Sequence, residues 1–160
     1  MAANSRLTVA AHALAWMALV RRSSDEFVTS ERIAASVNTN PVVIRRAIGR
    51  LRAAGIVEVQ RGAGAGCRLA RPPESITLRE VYEAVEHEPL FGLHARPPNQ
   101  GCPVGRGIQP ALAKVYGGVE DALRAELERT TVADLLIDVL ASAWRTAVEP
   151  ASDAPPGTPA

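Results

Sequence analysis

Thiols are scarce in this chain: among its 160 residues only Cys67 and Cys102 carry one. Two cysteines are too few to staple a small secreted scaffold, so no disulfide framework is expected and a reducing, cytoplasmic setting is the default. Aromatic residues supply 4% of the chain, which leaves Leu, Val, Ile and Ala to fill the core. Long apolar runs are missing too. The longest uncharged stretch near the start, residues 7–20, contains His12 and is too short to cross a hydrocarbon layer of about 30 Å. The segment Arg21-Arg22-Ser23-Ser24-Asp25 behind it lacks the small-x-small site of a secretory leader. Reactive sets are equally thin. His12, His87 and His94 have no ligand-like spacing, although His87 and His94 share a loop region with Cys102. No nucleophile, base and acid are evident, and Gly62-x-Gly64-x-Gly66 joins two strands instead of opening a helix. No enzyme activity, no cofactor and no metal are expected.

What is present is an ordinary globular balance, 47% hydrophobic and 22% charged, which excludes collagen, a coiled-coil rod and a disordered chain. The length allows one compact unit, or a small unit with an oligomerisation arm. The net charge of +1 conceals a division. Residues 1–73 hold eleven arginines against four acids, and residues 74–160 hold seven basic residues against thirteen acidic ones. A polyanion-binding front half and an acidic rear half with a different task are the expectation.

Apolar residues at Leu7, Ala10, Ala11, Leu14, Met17 and Ala18 predict a helix from about 6 to 21 with one buried stripe. Phe27-Val28-Thr29 is a short β-prone piece, and Ser30 is placed to cap a second helix from Glu31 to Val37. After Asn38-Thr39-Asn40, Pro41 opens a third helix with Ile44, Ala47, Ile48 and Leu51 inward and Gly55 ending it. Residues 56–61 and 67–70 read as two strands around a glycine-rich turn. Two short helices and a hairpin make a winged helix-turn-helix. Behind it the spacing predicts a helix over about 78–86, a loop over 87–107, and a long helix from Ile108 striped with Leu112, Val115, Tyr116, Val119, Leu123 and Leu127. Thr131 and Asp134 form a capping pair for a last helix to about Val148, and a tail of four prolines, residues 149–160, is expected to be disordered. The fold class is mainly α with a small β wing. The divisions are the winged unit at 1–73, a linker helix, long loop and further helices at 74–148, and the tail.

The third helix is built as a recognition helix. Its outward positions include Val42, Arg45, Arg46, Arg50 and Arg52, more guanidinium than solubility requires, and residues 41–57 contain no acid. Arginine grips guanine edges or phosphate with two prongs. Residues near the start of such a helix usually enter the major groove, so Pro41, Val42, Arg45 and Arg46 are base-reading candidates. Arg50 and Arg52 are phosphate candidates, and Arg61 and Arg68 extend the wing toward the minor groove or backbone. The partner is double-stranded DNA. The alternative is a protein-interaction module without sequence-specific DNA binding.

Several segments together resemble the Rrf family of bacterial winged-helix regulators, the group of IscR, NsrR and CymR. They are Asn4-Ser5-Arg6-Leu7, Asn40-Pro41-Val42-Val43-Ile44-Arg45-Arg46, Leu51-x-x-Ala54-Gly55-Ile56-Val57, the Arg61-Gly62 to Gly66 wing, and Ile76-Thr77-Leu78 followed by Val81-x-x-Ala84-Val85. Their order and spacing, over residues 4–145, carry the likeness. It implies a homodimeric transcription factor, usually a repressor, that reads a palindrome and pairs through its long helix, here the stripe from Leu112 to Leu127; residues 1–73 are then the DNA-binding domain and 74–148 the linker helix, sensing loop and dimerisation helices. Several members hold an iron–sulfur cluster on three loop cysteines. This chain has only Cys102 there, within Asn99-Gln100-Gly101-Cys102-Pro103-Val104-Gly105-Arg106, so no cluster is expected. That segment resembles the clusterless YwnA-like branch. Cys102 is then either a packed thiol or a candidate sensing thiol, made reactive by a helix start and Arg106 and responsive to redox or thiol stress. Cys67, beginning the second wing strand, is expected to fill core.

Overall fold

A computed structural model describes residues 5–24 and 26–148; the expected tail at 149–160 and Asn4 lie outside them. Six helices and one hairpin follow in the order α1 (Arg6–Arg21), α2 (Ser30–Val37), α3 (Pro41–Ala53), β1 (Val57–Gln60), β2 (Gly66–Leu69), α4 (Leu78–Val85), α5 (Pro103–Glu128) and α6 (Val132–Val148), with a single 3-10 turn at Pro73–Ser75.

α1 is the central post. Ala10, Ala13, Leu14, Ala15, Met17, Ala18 and Val20 are all buried, a wider band than the single stripe its spacing predicts. The reason is that α6 returns to cover α1, while α2, α3 and α4 also pack on it. Its alanines let those neighbours approach closely. α2 is capped by Thr29, whose hydroxyl accepts from the Arg32 N–H at 3.3 Å, rather than by Ser30, which is already inside the helix. Asn38, in the left-handed region at φ 55°, ends it.

α3 is bounded at both ends by side-chain and backbone chemistry. The Asn40 side-chain Oδ1 accepts from the Val42 N–H at 2.8 Å, and Pro41 takes the first helical position, where a missing N–H costs nothing. Past the other end Gly55 adopts φ 70°. The Gly55 N–H then reaches the Arg52 carbonyl at 3.0 Å and the Ile56 N–H reaches that of Leu51 at 2.9 Å, closing the helix as a left-handed glycine allows. Ile44, Ile48 and Leu51 face the core.

The wing is an antiparallel pair with Val57 opposite Leu69, Glu58 opposite Arg68, Val59 opposite Cys67 and Gln60 opposite Gly66. On the far side of β2, Val28 exchanges both backbone bonds with Cys67, at 2.8 and 2.9 Å. Gly66 is required by that approach, since a Cβ there would lie 2.8 Å from the Val28 carbonyl oxygen.

Front and rear halves share one core. Ile76, Val81, Val85, Val132 and Leu136 belong to the same buried cluster as Leu14, Ile33, Ile44 and Leu51. Thr77 and Thr131 form a β-bridge: the Leu78 N–H bonds the Thr130 carbonyl, and the Val132 N–H bonds that of Ile76, each at 2.9 Å. A reciprocal capping box between Thr77 and Glu80 starts α4. Thr131 and Asp134 cap α6 as the sequence indicates.

α5 starts at Pro103, five residues before the expected Ile108, so the connecting loop is residues 86–102. Gly105 and Gly107 fall in the expected loop, yet Pro103 initiates the helix ahead of them, and Pro110 is accommodated within it. At about 1.5 Å per residue α5 is roughly 39 Å long, and none of its residues is buried. The loop is fastened to its side by the Phe91 and Tyr116 rings, 4.9 Å apart, and by the Leu90 N–H donating to Glu120 at 3.1 Å.

Candidate nucleic-acid interface

The outward face of α3 and the adjoining wing carry the arginines singled out by the sequence, and the fold divides them into two sets. Arg46, Arg52 and Arg61 are exposed and make no hydrogen bond or ion pair among the described residues. Arg45, Arg50 and Arg68 are engaged. Arg45 bonds Glu31 at 3.0 Å and the Ser30 hydroxyl at 3.4 Å. Arg50 is half-buried and donates to the Val85 carbonyl at 2.6 Å. Arg68 lies 4.5 Å over the Phe27 ring and is ion-paired with Glu58. Val42 is exposed at the start of α3, beside the half-buried Pro41.

The absence of acids from 41–57 therefore does not leave every arginine free. Acids arrive from elsewhere. Glu58 stands directly across the hairpin from Arg68, a pairing readable from strand register. Glu31 is brought to Arg45 by the packing of α2 on α3, which no local pattern announces. The Glu31 carboxyl is held below its ordinary value first by its own backbone N–H, then by the Ser30 hydroxyl, with Arg45 contributing. Arg71 is likewise spoken for, donating to the Ser75 carbonyl at 2.8 Å and to Glu80 at 2.7 Å.

The two thiols occupy different settings. Cys67 is buried, its S–H donates to the Val28 carbonyl, and burial pushes its pKa up to about 12. Cys102 is half-buried at the position preceding α5, and its carbonyl accepts from the Arg106 N–H at 3.0 Å. Among the described residues no three His, Cys, Asp or Glu side chains assemble in a way that could hold a metal ion. His12 instead shares a hydrogen bond with Ser36 at 3.0 Å.

α5 presents the remaining surface of interest. Along its stripe Leu112, Tyr116, Leu123 and Leu127 are half-buried, while Val115 and Val119 are 59% and 41% exposed. On α6, Ile137 and Trp144 are 62% and 73% exposed. No helix among the described residues is long and apolar enough to cross a membrane.

Comparison with known proteins gives a consistent picture. The sequence profile described as Rrf2, iron-dependent transcriptional regulator, matches residues 3–138. YwnA of Bacillus subtilis strain 168, named as a candidate HTH-type transcriptional regulator, is 44% identical over 134 residues, covering 83% of this chain and 96% of YwnA. The HTH-type transcriptional regulator IscR of Cereibacter sphaeroides is 31% identical over 124 residues, covering 78% of this chain and 79% of IscR. The solved IscR of T. potens superposes with a TM-score of 0.62 at 22% identity, over 87% of this chain and 88% of that one, a likeness of fold. The iron in the profile's description finds no fit here: the 86–102 loop offers one thiol, where a cluster needs several cysteine ligands.

Proposed function

The chain belongs to the Rrf2 family of transcriptional regulators, and from that premise we propose that it acts as a cytoplasmic homodimer that represses transcription by reading a palindrome in double-stranded DNA. The observation that carries this reading is the set of exposed, unengaged guanidiniums on a helix-turn-helix, Arg46 and Arg52 on α3 and Arg61 on the wing. Base edges in the major groove are read by Val42 and Arg45 beside Pro41, because the capped start of α3 is the end that enters the groove. Arg46, Arg52 and Arg61, the unengaged set, take phosphates. Arg68, braced on Phe27 and Glu58, ties the two wing strands to the segment that precedes α2.

Dimerisation through α5 is supported by a helix of 26 residues with none buried and an apolar stripe at Leu112, Val115, Tyr116, Val119, Leu123 and Leu127. A second subunit is a natural cover for such a stripe. The signal input is assigned to Cys102: oxidation or thiol modification where α5 begins would displace that helix and change the separation of the two recognition helices.

Three measurements test the reading. Light scattering of the purified chain should return twice its 16.9 kDa mass. Selection from a random 30-base-pair pool should enrich a palindrome, and peroxide should change its affinity for the wild type and not for Cys102→Ser. A monomer that enriches no sequence at low salt refutes the proposal, and unchanged affinity after oxidation removes the sensing role alone.

A further inference from the structure

Arg50 points away from the role its sequence position suggests, and its surroundings give it another. The carbonyl of Val85 lies at the open end of α4, where the last helical carbonyls have no N–H of their own turn to receive. Arg50 supplies that donor at 2.6 Å, bringing positive charge to the negative end of the helix. The next residue, Glu86, has a side chain only 5% exposed and accepts from Arg6 at 3.3 Å. Arg6, Arg46 and Arg50 line a cleft of about 280 Å³ together with Val43, Ala47 and Val85. The point where the 86–102 loop leaves α4 is thus tied to both α3 and the start of α1.

We infer that Arg50 is a positioning residue: by capping α4 it sets the angle of the recognition helix, and with the Glu86–Arg6 pair it links that angle to the root of the loop that leads to Cys102. This rests on the DNA-binding reading above and deepens it. Removing a residue that touches phosphate weakens binding to every duplex and flattens the salt dependence by about 0.9 for each phosphate no longer neutralised. Removing a residue that only aims the helix weakens binding to the selected sequence and leaves the salt dependence intact.

The experiment measures anisotropy of two labelled 30-base-pair duplexes, one enriched by the wild type from a random pool and one with that sequence shuffled, at several salt concentrations. Arg50→Gln should lower affinity for the enriched duplex about tenfold, the scale of one hydrogen bond from a charged donor, with the shuffled duplex and the salt slope unchanged. Arg50→Lys, which can still reach a carbonyl, should restore binding. Glu86→Gln is the second variant should Arg50→Gln fail to fold by circular dichroism. It removes a negative charge beside the cleft, so electrostatics alone predicts tighter binding to both duplexes, whereas positioning predicts weaker binding to the enriched one. Equal losses on both duplexes with a flatter slope would make Arg50 a phosphate-binding residue and overturn the inference, as would unchanged affinity in Arg50→Gln or tighter binding to both in Glu86→Gln. A wild type that enriches nothing sinks the DNA-binding reading itself, and the inference with it.

Discussion

Raising salt from about 50 to 200 mM should cost this protein about three orders of magnitude in affinity for duplex DNA. The figure follows from which guanidiniums are available. Arg46, Arg52 and Arg61 are unengaged among the described residues, so a dimer brings six to the phosphates. At about 0.9 counterion released per phosphate neutralised, log affinity should fall against log salt with a slope near −5. Were Arg45, Arg50 and Arg68 to reach phosphates as well, about twelve neutralised phosphates would give a slope near −11 and a loss of more than six orders over the same range. Anisotropy of a labelled 30-base-pair duplex over a series of potassium chloride concentrations measures the slope directly. Arg61→Gln in both subunits should flatten it by about 2, whereas Arg68→Gln should leave it in place. A wild-type slope near −11, or equal flattening by the two substitutions, would refute the premise that intramolecular pairing decides which arginines meet the phosphates.

Other consequences can be checked without DNA. Val115→Asp should weaken the proposed dimer by roughly a hundredfold or more, since pairing through α5 would bury an unpaired carboxylate there; sedimentation across a concentration series reads the effect, with circular dichroism confirming the helices. A thiol reagent at pH 8 should label Cys102 in the native protein and reach Cys67 only on unfolding, because burial keeps Cys67 protonated far above that pH; fast labelling of both would contradict the packing of β2. The Asp134 carboxyl is held below its ordinary value of 3.8 by the Thr131 hydroxyl and backbone N–H. A depressed folded-state pKa gives stability that is present above the unfolded value and lost as pH falls through the folded one. Wild type should therefore melt higher than Asp134→Ala at pH 7, and the gap should close below pH 3.8; a gap independent of pH would show that the carboxylate charge is irrelevant.

The front half was legible because its signals are local. Asn40 before Pro41, the inward Ile44, Ile48 and Leu51, and Gly55 at the far end specify α3 within fifteen residues or so. The hairpin alternation and the Thr131–Asp134 pair are equally self-contained. The misplaced start of α5 has the opposite cause. Gly105 and Gly107 carry helix-breaking propensities and read as loop, yet Pro103 is well suited to a first turn and starts the helix ahead of them. The condition of the arginines was legible only in part. Glu58 could be set against Arg68 by register, but Glu31 and Val85 reach Arg45 and Arg50 through helix packing over 14 and 35 residues of sequence. Composition counts acids within a window, and a charge imported from a neighbouring helix escapes it.

The bridge between Thr77 and Thr131 has an evolutionary implication. Because the first turn of α6 is laced to the approach of α4 and inserts Val132 and Leu136 against α1, the arginine-bearing front cannot be cut out as a cassette. New inputs to such a regulator must come from rewriting the 86–102 loop and the outer surface of α5, which can vary while the last helix stays where the first one needs it.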